Sequence, residues 1–329
     1  MLPLLIALFI GAPISAPIPT PPAAPSLRLE TTAFGLSAEI EILGAASDSE
    51  TLRPALHAAV AEIAEVEHLA DAARPDSAVL VLNAAAGQGP QPVAPPLLAL
   101  LAKALDFCLW TEGAYGPLGR DVYQAWGGRE PAPAPPTPEQ LLRATSAASC
   151  NAIAVDTRGG RVNLAAESGI DLWGFAEGAA IDRAVEALKQ RGVASGMVRI
   201  GGTWRVFGAG PQGKGWPVTL PAFKGTQESE GRIFLRDQAL SIADPSERPY
   251  VNQRTGQPAQ GVVATVAVTE LAADARPLAI SLLITGPREG QLRIGSLRPR
   301  PSVLWLLGNG SGMPLRVFYR WNELTRPQR

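Results

Sequence analysis

The chain has 329 residues, with 29 Lys and Arg against 30 Asp and Glu for a formal net charge of −1, and 46% of its residues are apolar. That length carries roughly two domains' worth of packed core, or one large domain, and the composition excludes a disordered chain. The charge balance gives no electrostatic footing for nucleic acid as a partner.

The N-terminus is apolar from Met1 to Ile10 and passes through small residues to Ile14-Ser15-Ala16. Residues 1–16 read as the hydrophobic part and cleavage region of a secretory signal, although no Lys or Arg precedes the apolar run and Pro17 follows it. The run is too short for an ordinary membrane-spanning helix. The expectation is an exported or periplasmic protein with no span in the mature chain. Residues 17–27 are rich in Pro and Ala and read as an extended linker, leaving 28–322 as the folded domain.

Arg28 to Leu43 alternates Phe34, Leu36, Ala38, Ile40 and Ile42, the period of a strand. Leu56, Val60, Ile63 and Val66 follow at helical spacing, and His57 and His68 on that helix lie three turns apart, too distant to share a metal. A second helix is expected from about Leu97 to Trp110, started by Pro95-Pro96. The two cysteines, Cys108 and Cys150, are too few for a metal cluster. Cys108 sits in this apolar helical run and reads as a small core residue; one disulfide between the two is open, but the spacing does not favour it. Glu130 to Pro138 is a Pro-rich surface loop.

Further on, Ile181, Val185 and Leu188 mark one helical face. Short apolar strands are then expected at Met197–Ile200, Trp204–Phe207, Trp216–Leu220, Arg232–Leu235 and Val262–Val268. A late helix from about Pro277 to Thr285 should stop at Gly286-Pro287, and Val303–Leu307 with Leu315–Tyr319 should close the chain as a hairpin. Helices and strands are mixed without regular alternation, so the fold class is α+β with antiparallel strands rather than a doubly wound sheet.

One stretch carries chemistry. Asp171-Leu172-Trp173-Gly174-Phe175-Ala176-Glu177-Gly178 opens a helix, and its small residues would let backbone N–H groups approach a phosphate at the helix start. Arg199-Ile200-Gly201-Gly202 then ends a strand in a turn that a side chain would obstruct. Asp182-Arg183, Gly113-Ala114-Tyr115, Trp126-Gly127, Ser77 with Leu82-Asn83, Ala239-Leu240-Ser241 and Arg254-Thr255-Gly256-Gln257-Pro258 stand around them in a fixed order.

With those motifs in that order, from about Glu30 to Tyr319, the chain resembles the FAD:protein FMN transferases, the ApbE family. The resemblance implies a T-fold-like α+β architecture, FAD as ligand and magnesium as cofactor. It implies that FMN passes from FAD to a Thr or Ser hydroxyl of a target protein, by attack of the hydroxyl on a pyrophosphate phosphorus. The flavin-nucleotide contacts it implies are Tyr115, Asp171, Gly174, Ala176, Glu177, Gly178, Gly201, Gly202, Ser241, Arg254, Thr255 and Gly256. It assigns no catalytic residue.

The departures fall on charge-bearing positions. Where the family's late helix carries an Asp and a Thr as oxygen ligands to magnesium, this chain has Arg276 and Ile280, neither of which donates an oxygen to a hard cation. A gapped alignment offers Asp274 instead, with Leu278 in place of the Thr. Glu177 replaces a Lys, Trp173 replaces a Gly, and Pro249 to Gln253 lack the family's His and carboxylate. The expectation is a family member whose metal ligands are missing, or a non-catalytic relative that binds flavin or a protein partner.

Several residues have two readings. Asp171 either binds ligand or caps the turn, Asp182 is a structural partner before it is a base, and Arg254–Gly256 is a nucleotide contact or a plain turn. Arg276 either pairs with phosphate in place of the metal or pairs with Asp274 or Glu270. Trp173 either fills flavin space or packs outward.

Overall fold

The computed structural model describes residues 25–44, 49–128, 134–226, 229–245, 249–308 and 314–325. The leader, residues 17–24 of the linker and part of the Pro-rich run at 130–138 lie outside the described residues. The fold opens with β1 (Ser26–Ala33) and β2 (Leu36–Leu43), paired antiparallel from Ser26↔Leu43 to Ala33↔Leu36. The run expected as one strand is therefore a hairpin, because Phe34 and Gly35 adopt φ of 54° and 73° and reverse the chain within two residues. Glu67, near the end of α1 (Ser49–Ala70), holds that turn by accepting the Phe34 N–H on Oε1 at 2.7 Å.

A helical segment follows: α2 (Ala78–Ala84), β3 (Gln91–Pro92), α3 (Pro95–Trp110), α4 (Arg120–Ala125), α5 (Pro138–Ala147), β4 (Ile153–Asp156) and β5 (Arg161–Leu164). The prolines start α3 as expected, and Thr137 with Gln140 forms a capping box on α5. The order β3-β5-β4 makes a small three-stranded sheet. Cys108 of α3 and Cys150 are joined by a disulfide, a pairing their spacing does not suggest. It lies under the loop after α3: a Cβ on Gly116 would come within 2.5 Å of Cys108 Cβ.

The remaining elements are α6 (Ala176–Gln190), β6 (Gly196–Ile200), β7 (Thr203–Phe207), β8 (Trp216–Leu220), β9 (Gly231–Leu235), β10 (Ala239–Ala243), β11 (Val251–Asn252), β12 (Gln257–Pro258), β13 (Val262–Thr269), α7 (Ala272–Ile294), β14 (Ser302–Leu307), β15 (Leu315–Tyr319) and α8 (Asn322–Thr325). Eight strands form one antiparallel sheet in the order β1-β2-β6-β7-β10-β13-β14-β15. The period-2 alternation of its central strands serves two cores. Ala239, Ala243, Val303 and Trp305 face the helices, while Leu240, Ile242, Leu304 and Leu306 pack with the β8–β9 hairpin and Trp321 on the other side. This is an α+β fold, and no helix among the described residues is long and apolar enough to cross a membrane.

On the helical face α7 lies against β10 and β13, with α6 upon it and α1 outside. The late helix starts earlier than its periodicity predicts and stops at Gly286-Pro287 as expected, with a second helical segment following directly. Gly286 takes φ 70° and ψ 176°, a break after which helix resumes. The join between α6 and α7 is close. A Cβ on Gly178 would sit 2.3 Å from the Ala272 carbonyl oxygen. Asp182 accepts the N–H groups of Ala272 and Ala273, each at 2.9 Å, and so caps α7 from the neighbouring helix. Arg205 of β7 pairs with the same carboxylate at 3.1 Å. Burial holds the Asp182 carboxyl above its ordinary range despite the Arg205 charge and both amides.

Asp182→Ala should lower unfolding stability by about 2–4 kcal/mol, since it leaves the Ala272 and Ala273 amides without their acceptor and takes from Arg205 one of its two carboxylate partners, the other being Glu186. A urea titration showing a loss under about 0.5 kcal/mol would remove the capping role. The Cys108→Ser/Cys150→Ser double variant should lose about 2–4 kcal/mol, the usual range for a cross-link that closes a loop of this order. The readout is the denaturation midpoint against wild type, and an unchanged midpoint would show that the cross-link adds nothing to the native state.

Candidate functional site

The β1–β2 turn and the segment before α6 face each other across a cleft of about 970 Å³, within the range of small-molecule sites. Phe34, Leu36, Asp71, Arg120, Tyr123, Asp171 and Trp173 are among its lining residues. A narrow cavity of about 40 Å³ adjoins it, lined by Tyr115, Tyr250, Val251 and Gln253, and shares Tyr123, Asp171, Trp173 and Pro249 with the cleft. Arg120 extends across Gly169, where a Cβ would lie 1.9 Å from its guanidinium carbon, and its Nε donates to Asp121 at 2.8 Å.

Trp173 stands where the two spaces meet, and its backbone is fixed on both sides. Its N–H donates to Asp171 Oδ1 at 2.9 Å, and its carbonyl accepts the Tyr115 hydroxyl at 2.8 Å. The Asp171 N–H in turn donates to the Pro117 carbonyl at 2.8 Å. Tyr115 stacks on Phe175, with ring centroids 4.9 Å apart and planes 13° from parallel. The indole of Trp173 carries the Arg276 guanidinium 4.8 Å from its centroid and lies 5.7 Å from the Tyr250 ring. Asp171 closes a turn, as one of its two sequence readings has it, and it also lines the cleft.

Beneath this residue the helix start is filled by the protein itself. Gly174, at φ 86°, donates its N–H to Glu177 Oε2 at 2.6 Å. A Cβ at Gly174 would lie 2.2 Å from the Tyr115 hydroxyl and 2.5 Å from Ile280 Cδ1. Ala176 and Glu177 are each 1% exposed, and Gly178 is pressed on α7. The glycines and the carboxylate thus seat α6 against α7 and the Tyr115 loop. The amide that was read as open to a phosphate holds a carboxylate instead.

Arg276 is 1% exposed and donates from Nη1 to the Ile242 carbonyl at 2.9 Å. Asp274, one of the two partners read for it from sequence, pairs with Lys103 at 2.6 Å near the surface. Ile280 is fully buried. These three positions do not make a cation site, and among the described residues no three His, Cys, Asp or Glu side chains come together to hold a metal ion. His57 is exposed, and His68 lies 3.5 Å from Asp76 at the surface.

The other residues read from sequence lie in three places. Gly201 and Gly202 make the β6–β7 turn behind the cleft wall, with the Gly201 N–H on the Ser37 carbonyl at 2.9 Å. Ser241 is fully buried within the sheet, 2.9 Å from the Thr203 hydroxyl. Arg254, Thr255 and Gly256 form the turn between β11 and β12. There Arg254 meets Glu289 at 3.3 Å, and Gly256 accepts the Trp126 indole N–H at 2.8 Å. The structure therefore gathers Tyr115, Asp171, Gly174 and Glu177 around Trp173 and holds the Arg254 turn apart. Phe34, Leu36, Arg120 and Tyr123 were not singled out as site residues by sequence, because they sit in segments that read only as a strand or as unassigned chain. Gly35, a turn-former inside the apolar run, was the missed signal.

Burial raises the Glu177 carboxyl above its ordinary 4.5 and the nearby Asp171 adds to this, while the Arg276 charge and the amides of Gly174 and Glu177 pull it back. The folded state therefore binds this proton more tightly than the unfolded chain. Its stabilising contribution is complete below the ordinary value and is lost as pH rises through the raised one. The Tm of wild type minus that of Glu177→Gln should fall as pH rises through the window between the ordinary 4.5 and the raised value. A difference that stays flat across that window would remove the buried, perturbed carboxyl.

The profile of the ApbE family matches residues 34–303. Among curated relatives, an FAD:protein FMN transferase of Treponema pallidum is 29% identical over 268 residues, covering 71% of this chain and 74% of the relative. One of Klebsiella pneumoniae is 23% identical over 295 residues, covering 84% and 83%. Among solved structures, the flavin transferase ApbE from Vibrio cholerae superposes with a TM-score of 0.79 at 20% identity, over 90% of this chain and 98% of that one. The ApbE protein of Thermotoga maritima gives 0.80 at 20% identity, over 92% and 100%. With a profile match across most of its length and the same fold, this chain belongs to the ApbE family.

Proposed function

We propose that this protein binds FAD in the cleft between the Phe34 turn and Trp173, and does not perform the magnesium-assisted transfer of FMN to a protein hydroxyl. The single observation that carries the second half is Arg276. It stands at the family's metal-ligand position, buried, engaged by the Ile242 carbonyl and stacked on Trp173. A divalent cation set beside a fixed guanidinium, with Ile280 at the next ligand position, would gain no oxygen donors and would meet like charge.

The cleft's own residues fit a flavin nucleotide. Phe34, Tyr123 and Trp173 offer ring surface to planar rings, and Arg120 offers a cation to a phosphate. FAD would supply the isoalloxazine and the pyrophosphate, and the chain would supply enclosure and orientation. The second reading is active transfer to a Thr or Ser of a target protein, and it is favoured by the naming of both curated relatives as FAD:protein FMN transferases. In that reaction the acceptor hydroxyl would form an O–P bond to the FMN phosphorus while the pyrophosphate bond breaks and AMP leaves.

We also propose an oxidising compartment outside the cytosol. The apolar leader and the Cys108–Cys150 cross-link support that reading. Fractionation of the native host should place a chain trimmed near Pro17 outside the cytosol, and an intact Met1 chain in the cytosolic fraction would retire it.

The purified protein, incubated with FAD, magnesium and an acceptor protein bearing a flavinylation motif, is expected to leave the acceptor unlabelled by fluorescence and mass. Titration of FAD alone should quench flavin fluorescence at micromolar protein. Covalent FMN on the acceptor with release of AMP would establish the second reading, and no quenching at high micromolar FAD would end the flavin assignment.

A further inference from the structure

The loop from α3 to α4, residues 111–119, runs from the chain's cross-link to the cleft wall. Its Tyr115 hydroxyl donates to the Trp173 carbonyl at 2.8 Å, and its Pro117 carbonyl accepts the Asp171 N–H at 2.8 Å. Trp173 and Asp171 both line the cleft, as do Arg120 and Tyr123 just beyond the loop. On its other side the loop rests on sulfur. A Cβ on Gly116 would lie 2.5 Å from Cys108 Cβ and 2.7 Å from its Sγ, and one on Gly113 would meet Cys150 Sγ at 3.9 Å. The cross-link joins the end of α3 to the short turn before β4, across a sequence separation of 42 with α4 and α5 between them.

Local preference alone does not give the loop this shape. Glu112 and Gly113 take φ of 50° and 81° in succession, and a left-handed glutamate persists only where its surroundings impose it. Cys108 supplies part of that surrounding twice, through its sulfur under Gly116 and through its carbonyl, which accepts the Gly113 N–H at 2.8 Å. Gln253 steadies the far side, its N–H on the Ala114 carbonyl and its side-chain amide on the Gly116 carbonyl, each at 3.0 Å. Reduction replaces one bond by two separate thiols, which need more room than the bonded pair. Gly116 closes the space above Cys108, so that room has to come from the loop. Cys108 is fully buried and Cys150 half-buried, so a reductant meets the pair at Cys150.

We propose that the Cys108–Cys150 pair is a redox-sensitive brace for the cleft: joined, it holds the Tyr115 loop in the shape that fixes Trp173 and Asp171, and reduced, it releases that wall. Ligand binding is thereby confined to a compartment that keeps the pair oxidised. The reductant is a dithiol. One of its thiolates attacks Cys150 Sγ, the S–S bond breaks, and Cys108 leaves as a thiolate that takes up a proton. The second thiolate then attacks the reductant's own sulfur in the mixed disulfide and releases Cys150, which is protonated in turn. The reductant becomes a disulfide, and the chain gains two electrons and two protons. The statement about ligand binding rests on the flavin reading above, whereas the statement about the loop does not. Tyr115 acts as a positioning residue, through the Trp173 backbone.

Hydrogen exchange read by mass spectrometry, before and after treatment of the purified protein with dithiothreitol, tests the brace; alkylation confirms that both thiols have formed. Amides of 111–118 and 171–174 should exchange about tenfold faster in the reduced chain, while those of β10 and β13 keep their rates. FAD affinity, measured anaerobically once the reagent is removed, should fall by about fivefold or more and return on reoxidation with oxidised glutathione. If every segment speeds up by the same factor, or if the loop keeps its rates, the proposal falls. A faster loop with unchanged FAD affinity would overturn the link to ligand binding.

Tyr115→Phe with the cross-link intact tests the relay without disturbing the sulfurs. It should speed exchange at 171–174 and lower FAD affinity to about the level of the reduced wild type, and reduction of the variant should add less than about a twofold further loss. Losses that multiply independently would overturn the relay from the cross-link to Trp173. Complete absence of FAD binding in the oxidised wild type would retire the flavin reading alone, with the exchange rates still deciding the brace.

Discussion

The Asp182 carboxylate does two jobs that the rest of the helical layer relies on. It belongs to α6, yet it receives the first two amides of α7 at 2.9 Å each while Arg205 of the sheet holds it from the other side. A helix start, a neighbouring helix and a strand are thereby tied at one buried charge. Because α7 begins there, its second turn falls beneath Trp173, which places Arg276. Gly178 permits this join, since any side chain would strike the Ala272 carbonyl. The glycine pattern at the start of α6 follows from helix-to-helix distance before any ligand is considered.

Much of the fold was legible because apolar periodicity reports burial directly. The β6, β7, β8, β9 and β13 strands and the α3 and α6 helices stand where alternating or helical spacing placed them. The failures have physical reasons. The Phe34-Gly35 reversal is hidden in an apolar run because Phe34 takes a left-handed φ despite its bulk. The short α2 and α5 owe their starts to Ser77 and Thr137 caps more than to an apolar stripe. The stop at Gly286 was read correctly, and what the periodicity did not show is the second helical segment that Pro287 opens beyond it. The cysteine pair could not be read from spacing, since bringing residues of α3 and the β4 approach together is a matter of tertiary geometry.

At the site the legibility is of another kind. Sequence singled out Trp173 and Arg276 as two separate departures from a family pattern, and nothing in their spacing says that they meet. Residue 276 is far from 173 along the chain, and only the α6–α7 join brings them together. Conversely, Ser241 and Arg254 fall in the right order along the sequence but not in the same space. Ser241 is spent on a hydroxyl partner inside the sheet, and Arg254 on Glu289 at the surface. Order along a chain constrains what is built, and contact decides what each part does.

The order of the main sheet has a kinetic side. β2 pairs with β6, so Ala38 must find Ile200 about 160 residues later, with the entire α1–β5 segment and α6 looped out between them. Closing so long a loop adds little to the equilibrium cost, because that cost grows only with the logarithm of length. Rates respond differently, since pairings this distant form late and slowly. The β1–β2 hairpin is local and apolar on one side, so it must wait for its partner during synthesis with an edge exposed. Arg28, Glu30 and Glu39 along that hairpin place charge on the waiting strands. Charged side chains on such a ribbon oppose its pairing with a second chain.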